Sequence, residues 1–212
     1  MIPQIKICGL TRYQDVRLAA ELGADLLGFV FAKSPRRVTP ERVVEISAGL
    51  SDKILKVGVF VDTPLAEIKE IANFCALDVV QLHGSEDLDY CQALSSFKVL
   101  KVFRLGGGRN LPDSSLDSYW AALFDTWLPN LAGGGGKVFD WRMVAPWSGQ
   151  RFFLACGLTP DNVAQAIAIT LPFGVDVSSG VERAPGIKDA EKMRNFIGAV
   201  RKPLFGTVGT KY

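Results

Sequence analysis

The chain has 212 residues, 48% of them hydrophobic and 22% charged, which is ordinary for a globular protein with a sizeable core. Its net charge of +2 argues against a nucleic-acid surface, although a local cationic pocket stays compatible with it. No stretch approaches the roughly 18 apolar residues that a membrane helix needs.

In chain order, the apolar run Gln4–Cys8 predicts a first strand. "CGLT" carries it into a helix over Arg12–Leu22, with Thr11 and Gln14 spaced as a capping box. A second strand, Leu26–Phe31, leads through "AKSPRRV" to a helix over Pro40–Leu50, started by Thr39. The third strand, Leu55–Val61, ends at Asp62, and Thr63 precedes a helix over Pro64–Phe74. The fourth, Val79–His83, carries the single histidine and is followed by a helix over Glu86–Leu94. A fifth strand, Val99–Phe103, and a sixth, Ala122–Asp125, are followed by weaker helical segments, "LPDSSLDSYW" and "DWRMVAPW". The seventh, Phe152–Ala155, runs into a second "CGLT" and a helix over Pro160–Ile169 started by Thr159. The eighth, Val175–Val177, runs through "SSGVERAPG" to a helix over Lys188–Arg201.

Eight strand-then-helix units at roughly 25-residue spacing predict a single (β/α)8 TIM barrel, one domain spanning 1–212. An open doubly wound sheet is the alternative, but it usually has fewer strands. Neither "GGGRNL" nor "GGGGKV" has the glycine spacing of a dinucleotide or P-loop motif. The four-glycine run after strand six reads as a flexible loop, a candidate lid.

Cys8, Cys75, Cys91 and Cys156 lack metal-ligand spacing, so no metal site is expected. Isolated thiols behind a start without a secretory pattern suit a reducing compartment, so the expected location is cytoplasmic. Cys75 and Cys91 fall on helices and read as core fillers.

A barrel performs its chemistry at the carboxyl ends of its strands. That selects Cys8, Asp62, His83, Asp125, Cys156, Gly157 and the run Asp176, Ser178, Ser179 and Gly180. Side chains alternate along a strand, and strands one and eight adjoin in a closed barrel. Lys6 and Asp176 should therefore pair in the lumen below Cys8, and the lysine should lower the thiol's pKa. The glycines after strands seven and eight, at Gly157 and Gly180, suit backbone contacts to a phosphate.

"KICGLT", "GFVFAKSPRRV", "VGVFVD", "VQLHG", "GGGGKVFDW", "LACGLTPDNV" and "GVDVSSGVERAPGIKD" together resemble the phosphoribosylanthranilate isomerase family of tryptophan biosynthesis. The resemblance runs in order from Lys6 to about Asp189. It implies a small-molecule substrate, N-(5-phosphoribosyl)anthranilate, converted by an Amadori rearrangement without cofactor or metal. It makes Cys8 the general base and Asp125 the general acid. The arginine that meets the substrate carboxylate maps to Arg37, with Arg36 beside it. It maps the phosphate loops to Cys156, Gly157, Ser178, Ser179 and Gly180. From their places at the strand ends, Asp176 and His83 are read as bordering the substrate, with a satisfied strand-end histidine as the alternative for His83. Burial of Asp125 beneath an aromatic substrate would keep it protonated.

The chain departs from the family's pattern at Cys156, where Gly is usual, and at Gly135, where Ser or Thr is common. Other sugar-phosphate isomerases on this fold, which use an aspartate at the end of strand one, and a non-catalytic phosphate-binding barrel remain the competing readings. A homodimer is compatible with the sequence, and so is a monomer; nucleic-acid and membrane partners are not expected.

Overall fold

The computed structural model describes residues 2–105, 112, 116–126, 140–155 and 157–202. Among them, eight parallel strands close into a barrel in sequence order: β1 (Gln4–Ile7), β2 (Leu26–Val30), β3 (Leu55–Phe60), β4 (Val79–Leu82), β5 (Lys98–Leu105), β6 (Ala121–Thr126), β7 (Phe152–Leu154) and β8 (Gly174–Val177). Closure comes from β1 pairing with β8 in parallel, with Lys6 opposite Asp176. The expected barrel is the observed fold.

Strand alternation divides the core in two. Ile5, Ile7, Val80, Leu82, Phe124, Phe152 and Leu154 point outward under the helices. Leu26, Val57, Val79, Leu100, Val102, Leu123 and Phe153 fill the lumen. Both faces of these strands are buried, so they read as continuous apolar runs. Each fully buried Phe or Leu contributes about 1.5–3 kcal/mol. At the amino end, Trp120, Phe153 and Phe173 pack together in edge-on and tilted contacts, and Arg151 lies 5.9 Å from the Trp120 ring centre and 5.1 Å from that of Phe173. This aromatic plug closes the bottom of the lumen and leaves the carboxyl ends as its mouth.

The helices are α1 (Tyr13–Glu21), α2 (Pro40–Ser47), α3 (Leu65–Phe74), α4 (Leu88–Gln92), α5 (Val163–Thr170) and α6 (Ala190–Arg201). Of the expected threonine caps, Thr39 behaves as one, accepting from the Arg42 N–H at 3.2 Å. Three expectations are corrected. Pro64 and Asn162 hold the cap positions expected for Thr63 and Thr159. The α1 cap position belongs to Arg12, while the Thr11 hydroxyl donates to the Gly186 carbonyl at 2.6 Å. Asp87 and Asp189 cap α4 and α6 through their carboxylates.

"DWRMVAPW" forms a short 3-10 helix, Trp141–Trp147, whose Trp147 packs 5.2 Å from Phe124 and so backs strand β6. The final helix begins two residues after the expected Lys188. The residues before it form an antiparallel hairpin, β9 (Glu182–Ala184) with β10 (Ile187–Lys188). No helix among the described residues is long and apolar enough to cross a membrane. The glycine runs, Gly135 and the tail from residue 203 lie outside the described residues.

Candidate active site

Lys6 points into the lumen from β1, fully buried, and its Nζ lies 2.8 Å from Asp176 Oδ1 on β8. Burial alone would pull the ammonium's pKa down, but Asp176 and the neighbouring Cys8 hold it above its ordinary value. The expected pair is present. It occupies Asp176 beneath the site rather than at its rim.

Cys8 follows one residue beyond β1 and is 8% exposed. Gly28 on β2 makes room for it: a Cβ at Gly28 would come 2.8 Å from the Cys8 sulfur. Burial pushes the thiol's pKa up, Lys6 opposes, Asp176 adds to the rise and Lys188 opposes weakly. The net direction is upward. Lys6 does lower the thiol's pKa, as expected, but desolvation of the thiolate outweighs the ammonium beside it.

The loop after β2 presents two arginines differently. The Arg37 side chain is exposed, and its backbone bridges to Val30. Arg36 turns inward across Gly9, where a Cβ would stand 2.5 Å from the Arg36 Cδ; Gly9 has φ +72°. Arg36 then meets Glu182 of the hairpin through two parallel bonds, Nε to Oε1 at 2.8 Å and Nη2 to Oε2 at 2.6 Å. The sequence points to Arg37, with Arg36 beside it, and of the two it is Arg36 whose side chain turns inward. The two are adjacent, and nothing in "SPRRV" reveals which one faces in.

On the other side, the His83 ring follows β4 and Asp125 ends the inward face of β6. His83 Nε2 lies 3.4 Å from Asp125 Oδ2, and His83 Nδ1 lies 3.2 Å from Nε2 of the buried Gln81. Arg104, opposite Asp125 in the β5–β6 register, donates to the His83 carbonyl at 2.7 Å. Next to them is a cavity of about 330 Å³ lined by Val61, Asp62, Gly84, Ser85, Val102, Phe103 and Arg104.

Asp62 holds the neighbouring loop, accepting from the N–H and hydroxyl of Ser85 at 2.7 and 2.8 Å, and these bonds keep its pKa low. Glu86, paired with buried Lys101 at 2.7 Å, accepts the N–H groups of Asp62 and Gly84 and so fixes the loop carrying His83. Gln81, Glu86 and Arg104 were not singled out from sequence. Their signal was a polar residue interrupting an apolar strand or its exit.

After β7, Gly157 adopts φ +62° and its carbonyl accepts from the Asn162 amide at 3.0 Å. After β8, Ser178 leads into a single 3-10 turn, Ser179–Val181. A Cβ on Gly180 would overlap the Leu158 carbonyl oxygen, so the two loops touch only because Gly180 has no side chain. The Ser178 hydroxyl is buried with no hydrogen-bond partner among the described residues. Cys156 lies outside the described residues.

A parallel barrel puts all eight strand ends on one face. A thiol, a carboxyl–imidazole pair, an inward arginine and two glycine loops therefore share one mouth. That arrangement can hold an anionic sugar and exchange protons with it.

In sequence and in fold, the chain is similar to one family of known proteins. The family model described as N-(5'phosphoribosyl)anthranilate (PRA) isomerase matches residues 5–199. An N-(5'-phosphoribosyl)anthranilate isomerase of Pelobacter propionicus is 46% identical over 196 residues, covering 92% of this chain and 93% of the relative. The crystal structure of phosphoribosyl anthranilate isomerase from Thermus thermophilus superposes with a TM-score of 0.84 at 36% identity, covering 93% of this chain and 98% of that one. A phosphoribosyl anthranilate isomerase crystallised with reduced 1-(o-carboxyphenylamino)-1-deoxyribulose 5-phosphate superposes at 0.80 and 33% identity, covering 94% and 98%.

Proposed function

The chain belongs to the N-(5'-phosphoribosyl)anthranilate isomerase family, and on that premise we propose that Cys8 and Asp125 carry the proton transfers of the isomerisation at the barrel mouth. The enzyme is an aldose–ketose isomerase of tryptophan biosynthesis. Its substrate is an aminoaldose, N-(5'-phosphoribosyl)anthranilate, and its product the corresponding 1-amino-1-deoxyketose phosphate. The whole chain 1–212 is read as one barrel domain.

Asp125, in its carboxylic acid form, gives a proton to the ribose ring oxygen. The C1'–O bond breaks, the anilino nitrogen's lone pair forms the C=N bond, and a protonated Schiff base results. That cation makes the C2' proton acidic. The Cys8 thiolate removes it, and the electron pair collapses to an enolamine that tautomerises to the ketose. The charges around Cys8 support this role. Lys6, Arg36 and Lys188 face Asp176 and Glu182, an excess of one cation that a thiolate would neutralise. Burial holds the free thiol's pKa up, and the substrate's own iminium charge, forming beside the sulfur, favours the thiolate when it is needed.

Arg36, rather than Arg37, takes the anthranilate carboxylate in this reading, because its guanidinium is the one turned toward Cys8. The N–H groups of Gly157, Ser179 and Gly180 and the Ser178 hydroxyl take the phosphate. The observation that carries the proposal is the placement of Asp125 and Cys8 at the inward ends of two strands of one closed barrel.

The test is the loss of substrate fluorescence on turnover. Cys8→Ser and Asp125→Asn should each lose about 10²–10⁴-fold in kcat while keeping the wild-type circular dichroism spectrum. A Cys8→Ser enzyme with near-normal kcat removes Cys8 as the base. Arg36→Ala should raise KM, whereas Arg37→Ala should leave both constants within about twofold.

A further inference from the structure

The β9–β10 hairpin adds nothing to the barrel sheet, yet side-chain and backbone polar contacts tie it to the strand-one exit and to Arg36. Thr11 Oγ1 donates to the Gly186 carbonyl at 2.6 Å, and the Lys188 N–H donates to Asp15 Oδ2 at 3.1 Å. Asp15 is itself gripped by Arg12 at 2.9 and 2.7 Å. The hairpin carries two buried charged side chains, Glu182 and Lys188, 2.8 Å apart. Lys188 Nζ also donates to the Ser178 carbonyl at 3.1 Å, and Glu182 Oε1 also accepts the Gly186 N–H at 3.2 Å.

We propose that Glu182 is a positioning residue that aims Arg36 at the substrate carboxylate, deepening the proposed function on which it rests. A guanidinium has five N–H donors in one plane. Glu182 takes Nε–H and one hydrogen of Nη2. What remains is the end-on pair, Nη1 and the second hydrogen of Nη2, which can accept a carboxylate only in the guanidinium plane. The Arg36 stem is held against Gly9, the residue after Cys8. Fixing the fork therefore fixes the aromatic carboxylate relative to the sulfur. An arginine without Glu182 would sample its rotamers and lose that pre-organisation.

The competing account is that Glu182 serves only to neutralise buried Lys188. Steady-state kinetics on Glu182→Gln, Glu182→Gln/Lys188→Met, Arg36→Ala and Arg36→Ala/Glu182→Gln separate the two. Glu182→Gln should raise KM about tenfold, the size of one charge-assisted contact, with kcat within about threefold. The double variant with Lys188→Met removes the stranded ammonium, restores thermal stability and carries the test if Glu182→Gln alone folds poorly. It should keep the raised KM. In the Arg36→Ala background, Glu182→Gln should raise KM no further.

A wild-type KM in Glu182→Gln/Lys188→Met, or Glu182→Gln multiplying the effect of Arg36→Ala, overturns the inference and leaves the Arg36 reading standing. A wild-type KM in Arg36→Ala overturns both.

Discussion

Cys8 shows how one residue's chemistry is set by quantities of opposite sign. Lys6 stabilises a thiolate, yet burial of the sulfur costs more than the ammonium returns, so the thiol's pKa rises. The pairing of Lys6 with Asp176 was legible in the sequence, because strand alternation and barrel closure follow from pattern alone. The net direction at the sulfur was not, because desolvation depends on how completely the folded chain covers it. Iodoacetamide inactivation of the free enzyme decides between these terms, since only the thiolate reacts. The inactivation rate should climb with pH through a midpoint above the thiol's ordinary 9.0. A midpoint below that value would mean that Lys6 dominates. Gly28 belongs to the same residue-scale account: it is the absence of a side chain that makes space for the sulfur.

At the scale of elements, the strands were readable to within a residue or two, because continuous apolar runs bounded by turn residues have few other uses. The helix starts were less so. Thr39 caps α2, but Thr11 is recruited by the hairpin, a contact between residues 175 positions apart that no local pattern carries. The hairpin itself had a signal in "RAPGIK", where Pro185-Gly186 marks a turn between two short extended pieces. A helical pattern that runs back to Lys188 hides it, although the helix itself starts at Ala190. The Arg36/Arg37 ambiguity has the same origin, since the hairpin's Glu182 is what draws Arg36 inward.

The contact between the loops after β7 and β8 yields a prediction at this scale. Gly180→Ala forces a Cβ onto the Leu158 carbonyl, and backbone cannot step aside as a flexible side chain would. The two loops must separate. Inorganic phosphate, acting as a competitive inhibitor, should then lose on the order of tenfold in affinity. Unchanged inhibition would mean that the loops do not jointly hold the anion.

For the whole molecule, the question is why a barrel places a buried ion pair at the seam where its first and last strands meet. Lys6 and Asp176 join β1 to β8 at 2.8 Å in a lumen packed mainly with apolar side chains. Removing one partner strands a buried charge. Lys6→Met should therefore cost about 3–5 kcal/mol, a fall in Tm on the order of 10 °C for a chain of this size. Replacing both with apolar residues is often neutral, so Lys6→Met/Asp176→Leu should recover most of that loss. If the pair existed only to close the barrel, turnover would recover with stability. If it sets the field at Cys8, the double variant should melt near the wild type yet stay slow, with its alkylation midpoint moved further up for want of the ammonium. Calorimetry and kinetics on the same two variants thus separate closure of the fold from tuning of the base, and recovery of both together would leave the seam as the pair's whole purpose.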